Sequence, residues 1–234
     1  MSNPTAPGQD GLREWLKSLP LFYRTMTVVF GPALLVFGPG WFLKNFPRPG
    51  RCLNLGAGVR RLGPGVENID IAPAPMVDIV ADIAHLPIAD ASVARFVCDN
   101  VLEHVPDVEA AVREMHRILE PGGIGYVSTP FLYPFHASPS DFHRWTAPGL
   151  LMLFKDFDLV KIGTRSGPFS ALNVWLCYTF ATIFCLGSDK LFWLLVNASL
   201  FLFFPVKLLD FPLLLLPQSL HSASVFYLVV RKHG

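Results

Sequence analysis

The sequence predicts an α/β fold built on a parallel, Rossmann-like sheet, and three observations carry that prediction. A short apolar strand runs into the glycine turn Gly56-Ala57-Gly58. Further β-prone segments follow at short intervals, the second bearing an acid, Asp70, near its end. A helical periodicity over 108–119 separates the fourth segment from the fifth. Strands alternating with helix and short loops pack as parallel sheets. Strand, glycine turn, strand, acid is also the order in which such a sheet holds a ribose.

The elements follow in chain order. Residues 1–11 have the Pro, Gly, Ser and Asn content of a disordered tail and lack the basic-then-apolar form of a signal peptide. Residues 12–47 are apolar and aromatic but broken at Gly31-Pro32 and Gly38-Pro39-Gly40, short of the ~20 residues of a spanning helix, so they predict apolar helices lying on a surface or covering a core. The first strand is 52–55 and the second 66–71. Between them, Arg60 to Gly65 leaves no room for the usual helix, so the first crossover is abbreviated. A third strand, 77–81, precedes Asp82 and the turn His85-Leu86-Pro87, and a fourth covers 94–98.

Asp107 is placed to cap the helix 108–119, whose Val108, Ala111, Val112, Met115, Ile118 and Leu119 recur at helical spacing. Pro121-Gly122-Gly123 ends it, and 124–128 is a fifth strand. A helix at 147–154, a sixth strand at 159–163 and a strongly β-prone seventh at 224–231 complete the pattern. The closing strand lies beyond the apolar stretch 166–221, so that stretch is an insertion within one domain made of 48–165 and 222–234.

Composition narrows the function. The 234 residues suffice for a sizeable core, and a net charge of +1 with 16% charged residues gives no basic footprint for nucleic acid. A 52% hydrophobic content with 20 Phe, and a mean hydropathy of +0.43, predict that part of the surface meets lipid. The four cysteines show no Cys-x-x-Cys, and Cys52 and Cys98 fall in core strands, so they read as reduced. The insertion has two apolar runs, 171–186 and 191–204, separated by Gly187-Ser188-Asp189-Lys190 and each short of a span. It predicts a helical hairpin in one leaflet, with Lys161, Arg165, Lys190 and Lys207 beside anionic headgroups. A lid over the site or a dimer interface is the rival reading.

Five motifs in order, Leu53-Asn54-Leu55-Gly56-Ala57-Gly58, Asn68-Ile69-Asp70, Ala81-Asp82-Ile83 with Leu86-Pro87, Val101-Leu102-Glu103-His104-Val105 and Arg117-Ile118-Leu119-Glu120-Pro121-Gly122-Gly123, give residues 51–130 their character. This segment resembles the class I S-adenosylmethionine-dependent methyltransferases of type 11, in the branch that includes the quinone-biosynthesis type. The resemblance implies a seven-stranded methyltransferase sheet. It also implies that Gly56 and Gly58 face the methionine moiety of S-adenosyl-L-methionine, that Asp70 takes both ribose hydroxyls, that Asp82 takes the adenine amino group with Ile83 against the ring, and that Asn100 touches the cofactor. Asn54, placed by the same motif among the cofactor-binding residues, stands where that family usually has an acid, and Arg60 where it has a third glycine.

A second polar cluster, Tyr133 to Trp145, follows the fifth strand on the ligand side. An acceptor hydroxyl gains from a base such as His136 or His143 held by Asp141, with His104 nearby. Arg144 can clamp a phosphate or carboxylate, and Tyr133 and Trp145 can bound the acceptor. A capped structural loop accounts for the same residues, and methyl transfer requires no metal. The sequence thus predicts a methyltransferase on the cytoplasmic face of the membrane, peripheral or monotopic, acting on a hydrophobic or lipid-linked acceptor. The alternatives are a catalytically silent cofactor-binding membrane scaffold and, less suited to the short glycine turn, a nicotinamide-dependent oxidoreductase.

Overall fold

A computed structural model describes residues 36–137 and 140–234. The seven predicted strands are β1 (Cys52–Leu55), β2 (Val66–Asp70), β3 (Ile79–Val80), β4 (Val93–Asp99), β5 (Leu119–Pro130), β6 (Asp158–Ser166) and β7 (Val225–Arg231). They form one sheet in the order β3-β2-β1-β4-β5-β7-β6. The first five are parallel neighbours.

The sheet is mixed rather than wholly parallel, because β7 lies antiparallel between β5 and β6. The insertion leaves the sheet at the carboxyl end of β6 and returns at that same edge, where the Ser224 N–H meets the Ser166 carbonyl at 2.7 Å. A strand that enters from the edge its neighbours leave must run against them.

The α-helices among the described residues are α1 (Pro39–Asn45), α2 (Val108–Ile118), α3 (Ala147–Leu153), α4 (Pro168–Phe184) and α5 (Asp189–Phe203). Asp107 caps α2 as expected, accepting from the Ala110 N–H at 2.9 Å. Alternation along β7 divides two layers. Phe226, Leu228 and Val230 pack with α2 and α3, and Tyr227 and Val229 pack with Phe42 of α1. Of the predicted apolar helices over 12–47, residues 12–35 lie outside the described residues, as does the tail 1–11.

The first crossover is indeed abbreviated, with no helix between β1 and β2. Side-chain amides do the helix's work: Asn54 and Asn68 both donate to the Arg60 carbonyl, at 3.2 and 3.0 Å, and Asn68 also donates to that of Met76 at 2.7 Å. Pro121-Gly122-Gly123, expected to end the helix ahead of a strand at 124–128, lies inside β5, whose register against β4 shifts there. A Cβ at Gly123 would stand 2.8 Å from the Glu120 carbonyl oxygen, so only glycine fits that irregular start.

The insertion is a hairpin of α4 and α5 packed through Val174, Cys177, Ala181, Val196 and Leu200. Its second arm runs on as a 3₁₀ turn, Phe204–Asp210. Asp189–Asp210 is therefore a 22-residue helical segment long and apolar enough, by length and composition, to cross a membrane. The helical run does not stop at Pro205, because that proline sits in the first turn of the 3₁₀ segment, where its missing N–H costs little. Asp210, fully buried, accepts from the N–H groups of Gly167, Phe169 and Ser170, each at 2.9 Å, and so ties this end of the hairpin to the start of α4. Arg165 and Lys207, expected beside headgroups, are buried, whereas Lys190 is exposed. All four thiols are free.

Candidate active site

The strand order reverses between β1 and β4, the place where open α/β sheets leave a crevice beyond their carboxyl ends. A cavity of about 440 Å³ lies there, lined by Gly56, Gly58, Asp70, Asp82, Ile83, Asn100 and His104, with Val101 and Ala72 among its walls. That size suits a cofactor-sized ligand. Gly56 and Gly58 take φ of +66° and +55°, and a Cβ at Gly56 would collide with Val101, so the β1 turn passes directly over the exit of β4.

Two carboxylates shape this cavity. Asp70 accepts from the Gly58 N–H at 2.7 Å and the Ala72 N–H at 2.9 Å, which fixes the glycine turn against the end of β2. Asp82 accepts from the Ala84 N–H at 2.9 Å. Asn100 is held at φ +54°, and its buried Oδ1 has no hydrogen-bond partner, an acceptor left over at the cavity wall. Six of the seven predicted cofactor residues thus line one cavity. Asn54 does not: its side chain is committed to Arg60 and Asn68.

The polar cluster after β5 folds onto the 3₁₀ turn Leu102–His104. The Phe142 N–H donates to the Glu103 carbonyl at 2.7 Å, and the Ser140 carbonyl lies 2.5 Å from His104 Nδ1. Arg144 grips Asp141 with two nitrogens and donates to the Tyr133 and Pro134 carbonyls. Asp141 in turn accepts from the His136 N–H at 2.9 Å. Burial would raise the Asp141 carboxyl, but Arg144 and the His136 N–H outweigh it and hold the group below the usual carboxylate range. Burial pushes His136 down, so its ring is neutral near pH 7.

Glu103 lies at the centre of this arrangement. It is fully buried, neither carboxyl oxygen has a hydrogen-bond partner, and burial raises it to about 8. His104 Nε2 and His136 Nε2 each stand 3.8 Å from its Oε1. The structure therefore joins His104, His136, Asp141 and Arg144 in one constellation. His143 and Trp145 fall outside it: the two rings pack together 5.1 Å apart, and Trp145 lines a separate groove of about 1340 Å³ between α2 and α3. That groove, lined by charged residues such as Asp90, His116, Asp156 and Lys232, lies at the opposite edge of the sheet from the glycine turn. Trp145 thus bounds no acceptor at the cavity, because its ring fills the junction between the loop and α3.

Behind the cavity, Asp99 at the end of β4 pairs with Arg60 at 2.8 Å and with Arg165, and accepts from the Ser128 hydroxyl at 2.5 Å. Burial works against its charge, yet the two guanidiniums keep the carboxyl below its ordinary range. This network pins β4, β5, β6 and the glycine turn together. Sequence reasoning missed it, since an arginine amid apolar residues reads equally as a lipid-facing cation; its one signal is Asp99 at the end of an otherwise apolar strand.

Residues 57–127 match the family described as a methyltransferase domain. An uncharacterized methyltransferase of Mycobacterium sp. (strain KMS) is 37% identical over 102 residues, 42% of this chain and 38% of that protein. The chain thus matches well under half the length of the curated relatives. A 1,6-didemethyltoxoflavin-N1-methyltransferase of Burkholderia thailandensis, with bound acceptor and S-adenosylhomocysteine, superposes with a TM-score of 0.52 at 14% identity, over 100% of this chain and 94% of that one. The [4+2]-cyclase SpnF superposes with a TM-score of 0.52 at 18% identity, over 98% of both chains. The fold is the Rossmann-like methyltransferase fold. The cyclase shares it, so the fold alone does not assign the reaction.

Proposed function

We propose that this protein is an S-adenosylmethionine-dependent methyltransferase acting on a hydrophobic acceptor at a membrane surface. The observation that carries the reading is the continuity of the site. Tyr133 packs on the hairpin core, its ring is 5.1 Å from that of His136, and His136 and His104 meet around Glu103 at the edge of the cavity that Asp70 and the glycine turn shape.

The residues present fit the cofactor. Asp70 retains lone pairs for ribose hydroxyls beyond the two N–H bonds it accepts. Asp82 and Ile83 stand beside it for the adenine, and the unpartnered Asn100 Oδ1 offers a further acceptor. When bound, the cofactor supplies an electrophilic methyl group. The chain's own part is to hold the acceptor in line, to exclude water with Tyr133 and the hairpin, and to take the acceptor's proton. His136, neutral and oriented by Asp141, is the base at hand, and Arg144 positions Asp141. His104 bridges the two halves of the site.

The hairpin supports membrane attachment. It exposes Leu172, Trp175, Leu176, Phe180, Trp193, Leu194 and Phe201, more apolar side chains than scattered surface residues account for. The 17-residue first arm reaches about 25 Å at about 1.5 Å per residue, less than the ~30 Å hydrocarbon core, and the 22-residue second arm, long enough by itself, ends in turns whose Lys207 and Asp210 are buried in the protein. Its tip carries the exposed Asp189 and Lys190, which are costly to bury in lipid. A hairpin lying along the interface, at the same sheet edge as the cavity, satisfies both facts and lets an acceptor of the prenylated-quinone kind enter sideways from the cytoplasmic leaflet.

The test is transfer of tritiated methyl from S-adenosylmethionine into a total membrane lipid extract. Label entering the organic phase in proportion to enzyme supports the reading. Label only in the aqueous phase refutes the hydrophobic acceptor, and no label from a protein that binds the cofactor leaves the silent scaffold in its place.

A further inference from the structure

We propose that Glu103, His104 and His136 form a binding site for a divalent transition-metal ion, with an open position at the edge of the cavity. One nitrogen from each ring and a Glu103 oxygen all lie within 4.8 Å of one another, and the two Nε2–Oε1 separations are 3.8 Å. Ligands about 2.1 Å from a tetrahedral ion stand about 3.4 Å apart, so the two nitrogen–oxygen separations close by about 0.4 Å and the nitrogen–nitrogen separation by at most about 1.4 Å, within the reach of side-chain rotation.

Three features point to a cation rather than to a polar cluster satisfied within itself. Glu103 has no solvent exposure, and both of its oxygens lack hydrogen-bond partners. A buried carboxylate in that condition is costly unless a cation or proton meets it. The histidines supply no obvious proton on the side that faces it. His104 Nδ1 lies 2.5 Å from the Ser140 carbonyl oxygen, which requires the Nδ1–H tautomer and leaves a lone pair on Nε2. His136 Nδ1 lies 3.2 Å from Asp141 Oδ2 and 3.3 Å from the Pro134 carbonyl oxygen, so it too is the protonated nitrogen. The Arg144 Nη2 3.4 Å away is the longest of these contacts, and that nitrogen already donates to Asp141 and Pro134. Two imidazole lone pairs and the buried Glu103 carboxyl, which gives up its proton when an ion takes that place, therefore face one another within 4.8 Å.

The surroundings match those of metal-binding histidines, which hand their other nitrogen to a carboxylate or a backbone carbonyl. Ser140 does this for His104, the Pro134 carbonyl does it for His136 with the Asp141 carboxylate 3.2 Å from the same nitrogen, and Arg144 fixes Asp141 in turn. Two imidazoles and one carboxylate suit zinc, cobalt(II) or iron(II) and leave a coordination position free, as catalytic rather than structural sites do. His104 also lines the cavity, so the free position faces the place where an acceptor oxygen would sit. That last step alone rests on the methyltransferase reading; the ion site does not, and with an ion bound the His136 Nε2 lone pair is a ligand, so the general-base role given to it above belongs to the ion-free protein.

Full-length protein in detergent, stripped with chelator, is titrated with zinc chloride by calorimetry and with cobalt(II) by visible absorption. The proposal expects one equivalent bound with a dissociation constant of about 1 μM or tighter, and cobalt bands of a four- or five-coordinate ion. It expects Glu103→Gln, His104→Asn and His136→Asn each to weaken binding at least tenfold, with His85→Asn, an exposed histidine outside the cluster, unchanged. Absence of stoichiometric binding by the wild-type protein overturns the proposal without help from any variant. So does binding that the three substitutions leave intact, melting curves having shown them folded. Metal binding with these signatures by a protein that fails to bind S-adenosylmethionine upholds the ion site and refutes the methyltransferase reading, so the two failures are distinguishable.

Discussion

Removing the Asp70 carboxylate has a consequence that can be worked out from the geometry. In the free protein Asp70 accepts two N–H bonds, from Gly58 at 2.7 Å and Ala72 at 2.9 Å. A carboxylate has about four lone-pair sites, so ribose hydroxyls can be added without breaking either bond. Hydrogen bonds to a charged acceptor contribute about 1.5 to 3 kcal/mol, which converts to about a 10- to 150-fold weaker dissociation constant for Asp70→Ala. Asp70→Asn keeps one acceptor oxygen but loses the charge and should fall at the lower end, near tenfold. Titration calorimetry with S-adenosylmethionine measures both, with a melting curve on each variant. Asp70 ends β2 and is partly exposed, so the melting temperature should move by only a few degrees. Unchanged affinity in the folded Ala variant would remove Asp70 from the site, and a collapsed melting transition would make its task the turn and not the ribose.

Other predictions follow from other parts of the molecule. Asp210→Ala strands three N–H groups at the start of α4, a loss of about 2 to 4 kcal/mol and roughly 5–15 °C in melting temperature, with Asp210→Asn milder; a change under 2 °C would show that the hairpin needs no such anchor. The double substitution Leu176→Glu with Phe180→Glu, both on exposed faces of α4, should leave the fold intact and release the protein from vesicles in a flotation assay, whereas high salt should not release the wild-type protein; a wild-type protein that is monodisperse without detergent fails the membrane reading. Arg144→Lys keeps a charge but loses the fork on Asp141, and should lower turnover at least tenfold while cofactor affinity stays within twofold. The Asp99 carboxyl sits below its unfolded value, so its stabilising contribution is complete above about pH 4 and is lost as pH falls through the folded value; Asp99→Asn should flatten the acid limb of the melting temperature against pH, and an unchanged slope would refute that role.

The cofactor half of the site was legible because its chemistry is local in sequence. Gly56, Gly58, Asp70, Asp82 and Asn100 each sit at or just past a strand end, and in a parallel sheet every strand end of one sense reaches the same edge, so order along the chain is enough to gather them. The abbreviated crossover was legible for the same reason, since a residue count alone excludes a helix between Gly58 and Val66. The acceptor half depended on contacts that no local pattern encodes. His136 and His143 look equivalent in the sequence, yet one ring faces Glu103 and the other packs on Trp145. Arg165 and Lys207 lie among apolar residues just as membrane-facing cations do, and only the fold turns them inward. Likewise β7 was foreseen as a strand, but its antiparallel placement follows from where the hairpin re-enters the sheet.

The most direct test of the account is the structure of the full-length protein with S-adenosylhomocysteine. The account predicts the ribose hydroxyls on Asp70, the adenine between Asp82 and Ile83, and the sulfur facing the cluster of Glu103, His104 and His136. Density for the ligand in the groove between α2 and α3, or at the strand ends but with Asp70 still bonded only to Gly58 and Ala72, would contradict it.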